Sequence, residues 1–470
     1  MRYFRRETGA TPNRLADTWA ASRLAAVAAL LLIPIESYAQ EPVEETPTEA
    51  ETPAGQGNDF GSGLLSGPRW SPEPLTGDWF GARSWLADHG VTVGINVVNT
   101  VQGVVGGGRN EEWDNGGSLY LESQFSSDRA GLWPGGFLDF RLERQYGAFV
   151  NKEAGSFPAV NMIGLFPETN DDSFVVSKLM ATQFVTEWLG FFIGRFDTLD
   201  GDTNNLVSGR GRTGFLSPQL AFSPNSVLTT PYVLNGVGAI AFTPNPFMHR
   251  PATLNFVFAD PQVDPSDTGL NSNFFDEQYY ALEWRFSTRF FGLPGSQNVS
   301  YNYNTKEFLR LDDLTKSFIT RQKSSSSGAG VFAYNFHQYV YVEPGQDTAS
   351  VGYDADQEKL QGVGVFGRVG YSNADVNPFE WTFALGLAGR GIIPTRDDDT
   401  FGMAPYFGRI SRDFSDISDR LNKNYWGFEA YYNVAVTPWL HVTPDFQVTE
   451  PFLDNVDTAY TLGFRAKLDL

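Results

Sequence analysis

Charged residues of opposite sign recur two positions apart in segments whose other residues are apolar. Arg141 and Glu143 form one such pair, and Glu283, Arg285 and Arg289 form a second set. Because successive side chains of a β-strand point to opposite faces, residues two apart share a face. Arginine and carboxylate groups that oppose each other across a narrow pore create a local field and offer bidentate hydrogen bonds. Neutral polyhydroxylated solutes could exchange their water for these groups, with aromatic rings packing on the sugar. Alternatively, each charged residue is an ordinary hydrated residue of a polar face.

Motifs for enzymatic chemistry or cofactor binding are scarce. The four histidines are isolated, and none lies at a metal-binding spacing. No G-x-S-x-G motif occurs, and the absence of cysteine excludes thiol catalysis and Cys-ligated zinc. Residues 106–108 are all glycine, but no helix is predicted after them, so a phosphate site is not expected. We therefore expect neither an enzyme nor a cofactor.

One acidic cluster falls in a polar segment. Asp197, Asp200, Asp202 and Asn204 are close in the sequence but miss the spacing of a calcium-binding loop. Polar connecting segments normally run over the protein surface. We therefore expect a solvated loop there.

The elements that must position the charged pairs are β-strands. From Val91 onward, apolar and polar residues alternate with a period of two, which predicts two-faced strands. We count about fifteen to eighteen candidate strands, within the range of outer-membrane barrels. The alternation is clearest in segments 119–125, 138–143, 280–287, 299–304, 428–434, 440–447 and 458–470. Residues 174–197 could form either strands or a helix.

Connections and aromatic residues favour a barrel in lipid. Thr437-Pro438 is a very short turn, whereas 260–273, 312–328, 343–359 and 413–424 are long polar stretches. Short turns on one side and long loops on the other are typical of outer-membrane barrels. Trp381, Trp426 and Trp439 lie near strand ends, as in interfacial girdles. A soluble β-sandwich is the alternative, and it would have to bury its apolar faces against each other.

The composition limits the possible partners. The formal net charge is −21, which argues against nucleic-acid binding because that requires a basic surface. No segment after the N-terminal region offers eighteen uncharged apolar residues, so membrane insertion must use strands. We predict an all-β fold, namely a transmembrane antiparallel β-barrel of about 16 strands with a short N-terminal helix and long extracellular loops.

The sequence divides into four parts. Residues 1–39 carry several arginines, an apolar run and a small-x-small site, which predicts a signal peptide, although a retained N-terminal anchor is the alternative. Residues 40–74 predict an acidic, proline-rich disordered linker. Residues 75–90 predict a short helix, capped by Thr76 or Asp78 and closed by Gly90. Residues 91–470 form the predicted barrel.

Several segments resemble, in order along the chain, the OprB-type carbohydrate-selective porins. The resemblance begins with LTGDWFGAR at 75–83 and LADHGV at 86–91. IGRFD at 193–197 resembles a family strand that ends in Gly-Lys/Arg-x-Asp, and segments 364–371 and 399–411 fit further family blocks. The most specific block is EAYYNVAVTPWLHVTPDFQ at 429–447, followed by LGFRAKL at 462–468.

This resemblance implies a sixteen-stranded outer-membrane barrel that passes sugars passively. It also implies that the helix within 75–90 lies at the periplasmic mouth, and that Arg and Glu side chains line a constriction. The matching motifs suggest Arg83 and Arg195 as pore-lining residues, with Asp197 and Arg368 in the same blocks. Strand parity adds Arg141, Glu143, Glu283 and Arg285.

We therefore expect a channel of the bacterial outer membrane for passive diffusion of monosaccharides or short oligosaccharides. A general or cation-preferring porin for small solutes is the alternative, since the chain is strongly acidic. The expected partners are the transported sugars, outer-membrane lipid, and the barrel-assembly machinery, which would recognise the C-terminal strand. A homotrimer is a further possibility, because large porins often form trimers.

Overall fold

A computed structural model describes residues 73–470. Its gaps are at 156, 168–173, 202–203, 205, 208, 228, 267–271, 273–274, 314–324, 347, 349–359 and 419. The predicted signal peptide, residues 1–39, lies outside the described residues, as does all but the end of the predicted linker, residues 40–74.

Sixteen antiparallel strands form one closed barrel, in which each strand pairs with its neighbours in sequence and β1 pairs with β16. This closure confirms the predicted fold class. The strands are β1 (Val91–Gly108), β2 (Trp113–Ser126), β3 (Gly136–Gly147), β4 (Val175–Thr186), β5 (Leu189–Asp197), β6 (Val233–Thr243), β7 (Ala252–Asp260), β8 (Tyr279–Phe290), β9 (Leu293–Leu309), β10 (Ser325–Val342), β11 (Gly362–Ser372), β12 (Phe379–Arg390), β13 (Thr400–Ile410), β14 (Asn424–Thr437), β15 (Leu440–Glu450) and β16 (Asp457–Asp469).

The helices of the described residues are short. They are α1 (Ala82–Asp88), α2 (Asn151–Ala154), α3 (Pro218–Ala221) and α4 (Arg412–Ser415), with 3₁₀ turns at Trp79–Gly81, Met162–Gly164, Thr198–Asp200 and Pro224–Ser226. Within the described part of the chain, we find no helix with the length and apolar character needed to cross a membrane.

The predicted alternation of the strands separates an apolar outer face from a polar inner face. On β16, Tyr460, Leu462 and Phe464 are 47%, 41% and 58% exposed on the outside. Thr461 and Arg465, between and after them, are 0% and 1% exposed because they point into the barrel. Since a strand places alternate side chains on opposite faces, the outer surface meets hydrocarbon while polar groups collect inside.

Tryptophan residues lie near both ends of the barrel. Trp381 and Trp426 lie just inside the starts of β12 and β14, and both are exposed. Trp133, Trp188 and Trp439 lie in connections at the opposite end. Amphipathic indole rings favour the membrane–water interface, so the two sets mark the borders of the apolar band.

The strand order decides which end each connection occupies. We call the end beside α1 the helix end and the opposite end the loop end. The helix end holds the short connections 187–188, 291–292 and 438–439. The connection 343–361 between β10 and β11 also lies at the helix end. The prediction that this long connection lies at the loop end is therefore wrong. Because successive strands run in opposite directions, the number of preceding strands decides the end at which a connection lies, whatever its length.

Residues 174–197, whose pattern was ambiguous, form the β4–β5 hairpin. The helical alternative is wrong. β4 pairs with β3 and β5 pairs with β6, so hydrogen bonds to distant strands outweigh the local helical preference. The hairpin places Arg195 and Asp197 on the inner face of β5, where both are buried.

The predicted N-terminal helix is confirmed as α1, and it is tied to the last strand. Asp78 Oδ1 accepts a hydrogen bond from the Ser84 amide at 2.7 Å. Gly90 closes the segment with a φ of 81°. Arg83 Nη2 donates to the Leu470 carbonyl at 2.8 Å, and the Leu75 amide donates to the Asp469 carbonyl at 2.9 Å. These bonds hold α1 beside the β1–β16 closure.

The outer face generates a stability prediction at Leu385, an outward residue near the middle of β12 that is 42% exposed. We expect Leu385→Arg to lower the free energy of unfolding in lipid by about 2–4 kcal/mol, because it places a charge in hydrocarbon. Denaturant titration of vesicle-reconstituted protein measures this change. Leu385→Ala is the matched control, since it shortens the same side chain without adding charge. Equal destabilisation by the two variants would contradict a lipid-facing position.

Candidate functional site

Two long connections fold into the barrel interior. We call the β3–β4 connection, residues 148–174, loop A. Asn161 of loop A donates to Thr100 Oγ1 at 3.2 Å and to Gln102 Oε1 at 3.1 Å, both on the inner face of β1. Gln447, on the inner face of β15, donates to the Val160 carbonyl at 2.8 Å. Loop A therefore lies against the inside of the wall.

The β5–β6 connection, residues 198–232, crosses the interior, and we call it loop B. Its Asn204 donates to the Phe336 carbonyl of β10 at 3.0 Å. Its Arg212 donates to Asn96 Oδ1 of β1 at 3.2 Å. Since β1 and β10 lie on different sides of the barrel, loop B spans the lumen and narrows it. The expectation of a solvated loop around Asp200 and Asn204 is therefore wrong, because both residues are buried inside the barrel, whereas Asp202 lies outside the described residues.

Two wall residues, one acidic and one basic, hold the backbone of loop B. Glu429 of β14 accepts hydrogen bonds from the amides of Leu216 and Ser217 at 2.6 and 2.8 Å. Arg465 of β16 donates to the carbonyls of Gly211 and Gly214 at 2.7 and 2.8 Å. A carboxylate thus serves the N–H groups of the loop and a guanidinium serves its C=O groups. The bonds from the Arg465 guanidinium are charge-assisted and therefore stronger than bonds between neutral groups.

Apolar packing fills the lumen beside strands β11–β14. Phe215 and Leu220 of loop B join a buried cluster with Phe366 and Tyr425 of the wall. Phe157 of loop A stacks on Phe379 with ring centroids 4.6 Å apart. This contiguous core immobilises both loops against one half of the wall, so open space remains on the β6–β10 side.

Beside loop B lies a network of buried ion pairs, which we call the ion-pair cluster. It contains four basic and four acidic side chains: Arg141, Lys178, Arg210, Arg212, Glu122, Glu143, Asp197 and Asp200. Strands β2 to β4 supply four of these groups, and loop B supplies three. The remaining group, Asp197, is the last residue of β5. The formal charges of the cluster sum to zero.

Arg141 lies at the centre of the cluster. Its Nη1 atom is 3.2 Å from Asp197 Oδ2 and 3.1 Å from Asp200 Oδ1, and its Nε atom donates to Glu122. Arg210 reaches from loop B to Asp200 Oδ1 at 2.8 Å and to Glu143 Oε1 at 3.4 Å. One guanidinium from the wall and one from the loop therefore share the same carboxylates.

Asp200 is the loop carboxylate on which this network converges. Burial alone would raise its pKa, but Arg141, Lys178 and Arg210 lower the pKa well below its ordinary value. Because the folded pKa is depressed, the stabilisation from these pairs is present above the ordinary carboxyl pKa and is lost only as the pH falls through the depressed value. Asp200 therefore stays ionised under mildly acidic conditions.

A second charged pair lies across the turn that follows Asp200. Glu283 and Arg285 share the inner face of β8, with Nη2 of Arg285 3.1 Å from Oε1 of Glu283. The same Nη2 atom donates to the Gly201 carbonyl at 3.1 Å. The Asp200-Gly201 turn thus separates the ion-pair cluster from the Glu283–Arg285 pair and lies in contact with both.

The structure brings together some of the eight pore-lining residues proposed from the sequence. Arg141, Glu143 and Asp197 meet in the ion-pair cluster, and Glu283 and Arg285 lie just beyond it.

The other three lie elsewhere. Arg195 is buried on β5 and donates to Asn235 Oδ1 at 3.0 Å. Arg368 is buried on the inner face of β11, where Asn335 of β10 pairs with it. Arg83 lies apart at the helix end, bound to the Leu470 carbonyl.

Sequence reasoning missed five members of the cluster, among them Asp200, which was expected in a solvated loop. Glu122 belongs to a polar strand face that the alternation had identified, so parity could have found it. Lys178 lies in the ambiguous segment. Arg210 and Arg212 lie in loop B, and no periodic pattern in that irregular segment marks them as inward-facing.

Comparisons with known proteins agree with this architecture. Residues 224–470, more than half of the chain, match the family described as "Carbohydrate-selective porin, OprB family". The chain belongs to this family. It is a channel of the bacterial outer membrane for carbohydrates, and the family is one of porins rather than enzymes.

Solved structures with the same fold include OprB of Pseudomonas putida. The porin is 18% identical to the high-pH structure, with a TM-score of 0.71, and the match covers 85% of this chain and 99% of that one. For the low-pH structure the identity is 15% and the TM-score 0.52, covering 86% of this chain and 99% of that one. A search of curated protein sequences found no match.

The contacts of Glu429 generate a prediction about loop B in this porin. We expect Glu429→Ala to loosen the loop, because each buried amide left without an acceptor costs about 1–3 kcal/mol. Open-channel current noise should rise, and loop B should become sensitive to protease in reconstituted protein. Glu429→Gln, which keeps an acceptor oxygen, should change both properties less.

A matched control for this prediction is Glu380→Ala, which removes a carboxylate paired with Arg409 at 3.2 Å near the loop end. It should leave current noise and protease sensitivity unchanged. If Glu429→Ala left current noise and protease sensitivity unchanged, as this control should, the conclusion that Glu429 holds loop B in place would be wrong.

Proposed function

We propose that sugars cross this porin by passive diffusion along the β6–β10 side of the lumen, between loop B and the wall. On this route they pass the ion-pair cluster and then the Glu283–Arg285 pair. Apolar packing of loops A and B occupies the β11–β14 side. The route is therefore lined on one side by irregular loop backbone and on the other by polar strand faces.

The observation that carries this proposal is the charge balance of the ion-pair cluster. The chain has a net charge of −21, yet the four basic and four acidic groups of the cluster cancel. A cluster whose formal charges cancel gives an ion no net attraction. This favours neutral polyhydroxylated solutes over the alternative of a cation-preferring porin.

Pore-lining roles for Arg83, Arg195 and Arg368 remain predictions, and Arg195 on β5 and Arg368 on β11 flank the β6–β10 side. Assembly into a homotrimer and recognition of β16 by the barrel-assembly machinery also remain predictions. So do the periplasmic position of α1 and the division of residues 1–74 into signal peptide and linker.

Sugar titration tests the proposal. We expect glucose or a short oligosaccharide to block the single-channel current of the reconstituted porin saturably. Arg141→Ala should weaken this block several-fold, because it removes the group that orients three carboxylates, and Arg141→Lys should be intermediate because it lacks the planar fork. Stable channels that no sugar blocks would contradict carbohydrate binding in the lumen.

Ion selectivity gives an independent prediction. Arg210→Ala leaves the cluster with one uncompensated negative charge, so the reversal potential in a KCl gradient should move toward the potassium equilibrium potential. Arg310→Ala is the matched control, since it removes an exposed arginine paired with Asp312 at 2.8 Å in a surface connection. A wild-type channel that already selects strongly for cations would favour the alternative function.

A further inference from the structure

A cavity lies between loop B and the inner faces of β6 to β10. Its space, including the opening to solvent, is about 920 Å³. Its lining is polar in the middle of the wall and largely apolar toward the loop end, where Thr230 and Asn302 also border it.

The polar part is organised around Glu283. Asn255 Nδ2 donates to Glu283 Oε1 at 3.1 Å, and Asn298 Nδ2 donates to Oε2 at 3.2 Å. Because both amide nitrogens are directed at the carboxylate, the orientation of both side chains is determined. The Oδ1 atoms of Asn255 and Asn298 are buried and accept no hydrogen bond from any described residue.

An unpartnered buried acceptor is costly unless a ligand or water supplies the donor. Asn255, only 3% exposed, borders the cavity beside Glu283. A hydroxyl group in the cavity could donate to Asn255 Oδ1, and a second hydroxyl could donate to Glu283. This pair of neighbouring acceptors suits vicinal hydroxyls of a sugar.

The apolar part is formed by Phe222 of loop B, Val257 of β7 and Tyr279 of β8. All three are at least nine-tenths buried. Glu283 and Tyr279 are four residues apart on β8, about 13 Å along the strand, and Asn255 and Val257 are two residues apart on β7, about 7 Å. A hexose bound at Glu283 does not extend as far as Tyr279, and a second sugar there would place most of its hydroxyl groups against apolar side chains, which is unfavourable.

We propose that this cavity is a binding site for glycosides that carry an apolar aglycone, such as an aryl group. The sugar hydroxyls bind Asn255 Oδ1 and Glu283, and the aglycone packs against Phe222, Val257 and Tyr279. The inference rests on the proposed function, since the ligand arrives by the same route. It adds a substrate class, because a fully polar sugar uses only half of the site.

Current block by matched ligands tests this proposal in the reconstituted full-length porin. Phenyl β-glucoside should half-block the channel at a concentration at least tenfold lower than glucose does. Maltose, of similar length but polar throughout, should not share this advantage. Phenol alone should block weakly, because it lacks the hydroxyls that bind Asn255 and Glu283.

Two variants separate the halves of the site. Phe222→Ser should abolish the advantage of phenyl β-glucoside while preserving the block by glucose. Asn255→Leu should weaken block by both ligands. Thr461→Val is the matched control, as an inward-facing residue of β16 outside the cavity, and it should change neither. Heat-dependent mobility in SDS and unitary conductance establish that each variant is folded.

The outcomes distinguish this proposal from the proposed function. If glucose blocks the wild-type channel and phenyl β-glucoside is no better, the aryl-glycoside site is wrong and the sugar channel stands. If neither ligand blocks it, both are wrong. If phenyl β-glucoside still blocked at a lower concentration than glucose in both Phe222→Ser and Asn255→Leu, it would bind elsewhere, and the proposed site would be wrong.

Discussion

The hydrogen-bonding requirement of the backbone in hydrocarbon governs this structure. An amide or carbonyl group facing lipid has no water to bond, so every strand needs a partner on both sides. The register between β1 and β16, with Val97 opposite Leu468, meets this requirement by closing the sheet. Closure also determines side-chain placement, since each residue must then face either lipid or lumen. The apolar outer band and the collection of charges inside both follow from it.

The interior meets the same requirement by different means. Loop B has no neighbouring strand to satisfy its backbone, so Glu429 and Arg465 supply an acceptor and donors from the wall. The charges brought inside by strand parity pair with charges of the loop, as Arg141 and Arg210 do around Asp200. The position of loop B therefore depends on the wall, and the charge balance of the ion-pair cluster depends on the loop. A cluster whose formal charges cancel can lie inside a strongly acidic protein.

Strand alternation made much of the fold predictable. The inner positions of Arg141, Glu143, Glu283 and Arg285 follow from a period of two, which is a local property of the sequence. The β4–β5 hairpin was ambiguous, because its local pattern suits two structures and only pairing with β3 and β6 decides between them. Loop B was misjudged, since a polar irregular segment has the same composition whether it lies in water or in a polar lumen.

The sequence by itself determined a closed membrane barrel of about 16 strands, its family, and the facing of each clearly alternating strand. These properties depend on the periodicity of the sequence and on short motifs that occur in a set order along the chain. Only the tertiary structure decided which charges meet, because residues distant in sequence, such as Glu122, Asp200 and Arg210, become neighbours once loop B folds inward. It also decided where the lumen stays open. That outcome depends on packing between loop and wall, for which the sequence carries no periodic signal.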